Sequence, residues 1–223
     1  MRPCVVLTAM KIPEVAGETV STPAAPPAGR RERKRQQVRD RLYAAALHLF
    51  VAQGYEATTM DQIAETADVA RATVFNHFSQ KVGFLEEWGA RRRARVNEIL
   101  GSQHAEDLPV GDGLRRYLKE MAELNVASRT ETTVLMDASA RYGRLLQDAS
   151  LEIELARIVE QGQQRGEIRA DVDCDQAGQL LAACYFTTIL RWIREEPASF
   201  DLHQRLAGAL DIILLGLLVG EAA

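Results

Sequence analysis

The residues best suited to specific chemistry lie between Thr59 and Lys81, where the chain reads TMDQIAETADVARATVFNHFSQK. This short span holds Arg71, Thr73, Asn76, His77 and Lys81. Cations, hydroxyls and amides at this density suit hydrogen bonding to phosphate oxygens and base edges, not bond making. The Arg71 guanidinium fork matches O6 and N7 of guanine, although a grip on phosphate is open to it as well. Ala72 is small enough to meet a thymine methyl, and Thr73 and Asn76 suit base or backbone contacts. Thr59 offers a hydroxyl and a backbone N–H to phosphate.

Other chemistries lack their residues. The histidines, His48, His77, His104 and His203, show no HExxH spacing, and neither a Gly-rich phosphate loop nor a GxSxG elbow occurs. Cys4, Cys174 and Cys184 form no CxxC pair. The expectation is a protein that is not an enzyme, with no cofactor and no metal. Sparse, odd-numbered cysteines point to a reducing compartment. Cys184 reads as a small core residue, with a redox-sensing thiol as the sharper alternative.

Two short helices must hold these side chains in place. Ala64 is small where two helices would cross closely, and four residues later Asp68 tolerates the left-handed backbone of a tight turn. Val69 follows the turn, and Val74 anchors the second helix. This small–turn–anchor spacing predicts a helix-turn-helix, with one helix opened by a Thr59/Gln62 capping box and the next over 71–78. Before it, Val38, Leu42, Ala45, Ala46, Leu49 and Phe50 form one apolar stripe on a helix over 35–53, stopped by Gly54. A basic run from Arg30 to Arg41 leads in, either as a solvated helix entry or as an arm against DNA. Residues 1–29 contain Pro3, Pro13, Pro23, Pro26 and Pro27 without periodicity and are expected to be a disordered tail.

The wider segment resembles the TetR family of repressors. The residues that carry the resemblance are FVAQGYEATT over 50–59, the Ile63–Ala64 pair, Val69 with Thr73, Val74, Phe75, His77 and Phe78, and Lys81 with Leu85. Phe75, Ala70 and Asp68 stand where the family usually has Tyr, Ser and Gly, so Phe75 brings no hydroxyl to phosphate. The resemblance implies a homodimer, a two-fold symmetric operator and release by a small molecule. It also implies that His77 and Lys81 hold the DNA backbone, with Phe75 among the DNA-binding residues.

Downstream, apolar periodicity predicts helices over about 81–100, 112–128, 130–139, from about Leu146 to Gly166, 174–195 and 201–220, with Pro197 breaking the last pair. The expected fold is all-α: a three-helix head over 30–81 and a helical ligand-binding and dimerisation body over 82–223. No charge occurs from Ala177 to Leu190, and Leu206 to Val219 is nearly as apolar. A helix that is apolar all round must be covered on both sides, so the last two helices are expected to pair with a second copy through Leu181, Tyr185, Thr188, Trp192, Leu210, Ile213 and Leu217. Gly208 and Gly216 would allow close approach. Between body helices, Trp88, Tyr117, Met121, Met136, Tyr142 and Tyr185 are candidates to line a pocket for a lipophilic or aromatic effector, with plain core packing as the alternative.

The net charge of −4 excludes nothing, because a local basic footprint is enough for DNA. The most apolar stretch carries Asp211 and is too short to span a bilayer, so no membrane partner is expected. The partners expected are double-stranded DNA, a small effector and a second copy, in the cytoplasm. Activation in place of repression stays open, since its sign depends on operator position.

Overall fold

The computed structural model describes residues 29–102, 108–142 and 149–217. The expected tail, Gly29 apart, and Leu146 lie outside the described residues. Among those described, all regular structure is helical: α1 (Arg30–Gln53), α2 (Met60–Thr66), α3 (Arg71–His77), α4 (Gly83–Ser102), α5 (Val110–Ala127), α6 (Arg129–Arg141), α7 (Ser150–Gln164), α8 (Cys174–Trp192) and α9 (Leu202–Leu217).

The helix-turn-helix folds for the reasons its spacing gave. Thr59 accepts from the Gln62 backbone N–H while the Gln62 side chain accepts from the Thr59 backbone N–H, a complete capping box. Asp68 adopts φ 50, the only non-glycine residue with positive φ among those described. Gly54 stops α1 at φ 88, where a side chain would be strained. Leu42, Ala46 and Phe50 of α1, Ile63 of α2 and Val74 of α3 are all fully buried and knit the three helices together.

The helix α4 joins head to body. Its first turn still belongs to the head core, where Phe84 stacks on Phe78 with centroids 3.9 Å apart. Further along, Trp88, Arg92 and Val96 turn inward among the body helices. In the body, α7 and α8 lie so close that a Cβ on Gly178 would sit 2.5 Å from the Glu152 carbonyl oxygen. The helix α9 packs on α5 and α8, and α6 packs back against α1. No described helix is long and apolar enough to cross a membrane.

Candidate nucleic-acid interface

The short helix α3 is pinned from below and open above. Val74 is fully buried and Phe78 is nearly so. Arg71, Ala72, Phe75 and Asn76 are exposed, and Thr73 is half-buried beside them. Four of the residues expected to meet DNA therefore share one outward surface. Arg71 Nε lies 3.0 Å from Asp61 Oδ1, and its guanidinium sits 5.5 Å from the Phe75 ring centroid. Phe75, lacking a hydroxyl, thus supports the cation that could read a base.

The structure places the remaining candidates differently. Lys81 Nζ donates to the carbonyls of Tyr55, Glu56 and Thr58 at 2.7, 3.3 and 2.9 Å. An ammonium has three N–H donors, and all three are accounted for here. Burial lowers the Lys81 pKa against the opposing charge of Glu56. The side chain also lies over the Tyr55 ring at 4.4 Å, so it fastens the α1–α2 turn from inside. Thr59 keeps its hydroxyl exposed, but its backbone N–H is spent on Gln62 Oε1 at 2.8 Å. His77 is half-buried with Nδ1 unpartnered, and burial followed by the nearby charges of Arg35 and Arg39 lowers its pKa. Its carbonyl accepts from Arg39 Nη1 at 3.0 Å.

Five of the six pocket candidates, Trp88, Tyr117, Met121, Met136 and Tyr185, are buried in the body. Three of them, Trp88, Met121 and Tyr185, border a polar centre that periodicity alone did not announce. Arg92, only 9% exposed, lies 4.3 Å over the Trp88 ring and donates to Asn125, Ser128, Glu131 and Thr132. Asn125 donates to the Tyr185 hydroxyl at 2.8 Å, and Trp88 Nε1 donates to Glu131 at 2.5 Å. Arg92 Nε is buried without a partner. A signal for Arg92 existed: it stands four residues from both Trp88 and Val96, on the inner stripe of α4. Tyr142 is instead 43% exposed and meets the head, donating to Glu56 at 2.5 Å with its ring 5.2 Å from that of Tyr55.

A surface groove of about 1030 Å³ runs along α8, and none of the six pocket candidates lines it. Of the residues expected between two copies, Leu181, Tyr185, Thr188, Trp192 and Leu210 are buried in this chain's own core, and Ile213 and Leu217 are half-buried. The apolar side chains left outside on α8 and α9 are Leu180, Ile212 and Leu215.

Residues 42–88 match the model of the bacterial regulatory proteins of the tetR family. Over 63 residues the chain is 52% identical to the HTH-type transcriptional regulator TcmR of Streptomyces glaucescens, covering 28% of this chain and 27% of that protein. It is 27% identical over 187 residues to the HTH-type transcriptional repressor AcnR of Corynebacterium diphtheriae, covering 78% and 88% of the two chains. Matches to the first relatives span between 27% and 53% of their lengths. Among solved structures, FadR of Thermus thermophilus, a TetR-family transcriptional repressor in complex with lauroyl-CoA, superposes with a TM-score of 0.68 at 28% identity. That match covers 82% of this chain and 97% of FadR.

Proposed function

The chain belongs to the tetR family of bacterial regulatory proteins, and from that premise we propose that it is a homodimeric repressor released from a palindromic operator by a small molecule. The observation that carries this reading is α3, fixed by Val74 and Phe78 with Arg71, Ala72, Phe75 and Asn76 facing out. Such a helix enters the major groove, where each base pair shows its own donor and acceptor pattern. Arg71 is the base reader, with Thr73 and Asn76 beside it; the Thr59 hydroxyl and His77 face phosphate, and Lys81 supports them through the α1–α2 turn. One head buries little surface, so two heads at fixed spacing must bind half-sites together.

The head takes residues 30–81 with the root of α4, and the body from residue 82 onward carries effector and dimer contacts. The polar centre around Arg92, bordered by Trp88, Met121 and Tyr185 with Tyr117 and Met136 buried in the same body, suits an amphipathic lipophilic or aromatic effector: its apolar part packs on the rings, and an acceptor meets the unpartnered Arg92 Nε. The lauroyl-CoA bound by the Thermus protein, an amphipathic ligand, supports this class. A ligand that favours one head spacing must alter DNA affinity by linkage, by roughly 5- to 150-fold for a typical coupling. Such an operator would be read in the cytoplasm.

The test is fluorescence anisotropy on the gene's own promoter with a panel of fatty acids, acyl-CoAs and aromatic compounds. Arg71→Ala is expected to lose about 1–3 kcal/mol of discrimination between operator and mutated operator. Equal operator preference in the variant and the parent would overturn the role of Arg71, and no promoter binding at all would overturn the function.

A further inference from the structure

The charge of the helix-turn-helix does not by itself favour DNA. From Thr59 to Lys81 the chain holds three acids, Asp61, Glu65 and Asp68, against two cations, Arg71 and Lys81. The Lys81 ammonium is already bonded to the carbonyls of Tyr55, Glu56 and Thr58. Arg71 is therefore the one cation of this span left on the outward surface, and an acid sits against it. Asp61 Oδ1 lies 3.0 Å from Arg71 Nε. Asp61 stands in the first turn of α2 and Arg71 opens α3, so the pair bridges the two helices, with both side chains exposed.

An acid in the first turn steadies its own helix through the backbone dipole. That role needs no contact with α3, and this carboxylate makes one. Phosphate and guanine hold a guanidinium for different reasons. Phosphate acts chiefly through charge, with release of counterions. A guanine edge is neutral and acts through two directed hydrogen bonds to O6 and N7. A carboxylate 3.0 Å away cancels much of the cation's charge but does not remove its hydrogen-bond fork. The contact uses Nε and leaves the two terminal Nη groups for a base. Phe75, with its ring centroid 5.5 Å from the guanidinium, adds neither charge nor hydroxyl. Guanine, with two acceptors in register, can draw Arg71 off so exposed a pair. A phosphate must do so against a neighbouring carboxylate of its own sign.

Resting on the reading of Arg71 as the base contact, we propose that Asp61 is a specificity-determining residue. It keeps Arg71 off phosphate and so reserves that side chain for a guanine. Its effect is on the wrong sequences: non-operator DNA loses a phosphate contact that Arg71 alone would give it, and the operator loses nothing.

The experiment is fluorescence anisotropy of the full chain on the promoter duplex and on a scrambled duplex of equal length, between about 50 and 200 mM salt. On the scrambled duplex Asp61→Asn is expected to steepen the fall of log K with log salt by about 0.9 for each head, the mark of one added phosphate contact. On the promoter the slope stays, and the preference for promoter over scrambled duplex falls roughly two- to fivefold at low salt. Glu65→Gln removes an equal charge four residues along the same helix and is expected to keep the parent slope on both duplexes. In an Arg71→Ala background, Asp61→Asn is expected to leave the slope where Arg71→Ala puts it.

A parent-like slope for Asp61→Asn on the scrambled duplex overturns the inference. So does an equal steepening in Glu65→Gln or in the Arg71→Ala background, since the acid would then act as bulk charge. Weaker binding to both duplexes with a lower urea midpoint also overturns it and makes Asp61 a helix-start residue alone. If Arg71→Ala keeps the parent's promoter preference, the base contact falls and this inference with it. If Arg71→Ala loses that preference and Asp61→Asn keeps the parent slope, only the inference falls.

Discussion

Arg71 and Lys81 are both cations of the head, and their surroundings give them opposite roles. The Arg71 and Asp61 side chains are 68% and 58% exposed, so their ion pair is worth less than about 1 kcal/mol. Arg71 can leave Asp61 for a base at little cost. Lys81 has exchanged water for the carbonyls of Tyr55, Glu56 and Thr58. Lys81→Ala would strand those acceptors around a partly buried turn. It is expected to lower the stability of the chain by about 1–2 kcal/mol, read as a lower urea midpoint. DNA affinity measured well below the melting temperature should fall much less. An unaltered midpoint with DNA binding weakened on every sequence would return Lys81 to the phosphate role that its place in the sequence suggests.

The two helices of the helix-turn-helix open differently. The helix α2 is capped by Thr59 and α8 by Asp173, whose side chain accepts from the Gln176 backbone N–H. Ala70 occupies the N-cap of α3 with extended backbone and no side-chain bond. The first turn of α3 therefore leaves a donor unsatisfied by any side-chain cap. Ala70→Ser restores an acceptor without altering the exposed face. It should stabilise the chain by about 1 kcal/mol, seen as a higher urea midpoint in chemical denaturation. No change would mean that the turn at Asp68, rather than the cap, sets the stability of α3.

For the whole molecule, what matters is how the head is held to the body. Glu87 on α4 accepts from Arg39 of α1 at 2.6 Å and from Arg91 at 2.8 Å, and Arg91 also reaches Asp40 at 2.5 Å. Burial alone would raise the Glu87 pKa, but hydrogen bonds and charge from Arg39 and Arg91 outweigh it and hold it below its ordinary 4.5. A carboxylate with a depressed folded pKa contributes stability that is full above the unfolded value and is lost as pH falls through the folded one. Glu87→Gln is expected to lose about 1–3 kcal/mol at neutral pH, with the gap to the parent closing as pH falls below the ordinary 4.5. Melting curves of both proteins across that range check it, and a gap that stays constant would show that Glu87 does not titrate in this clasp. At the other side of the head, Tyr142 at the end of α6 grips Glu56, so two separate body helices reach the DNA-binding unit.

The order of helices, the capping box and the left-handed turn at Asp68 were legible in the sequence, because each is settled by residues within four or five positions of one another. The same holds for the inner side of α3, where Val74 and Phe78 stand four residues apart. Contrast failed in α8 and α9. A helix apolar on every side gives no hint of which face is inner, and one residue of difference turns a side chain by about 100°. Leu181 thus lies inside while Leu180 lies outside, a choice made by Gly178 closing α8 onto α7. Tertiary structure likewise drew Lys81 onto carbonyls more than 20 residues away and assembled the Arg92 centre from four helices. Local sequence sets where the backbone curls; the face each helix hides depends on surfaces far along the chain that compete for it.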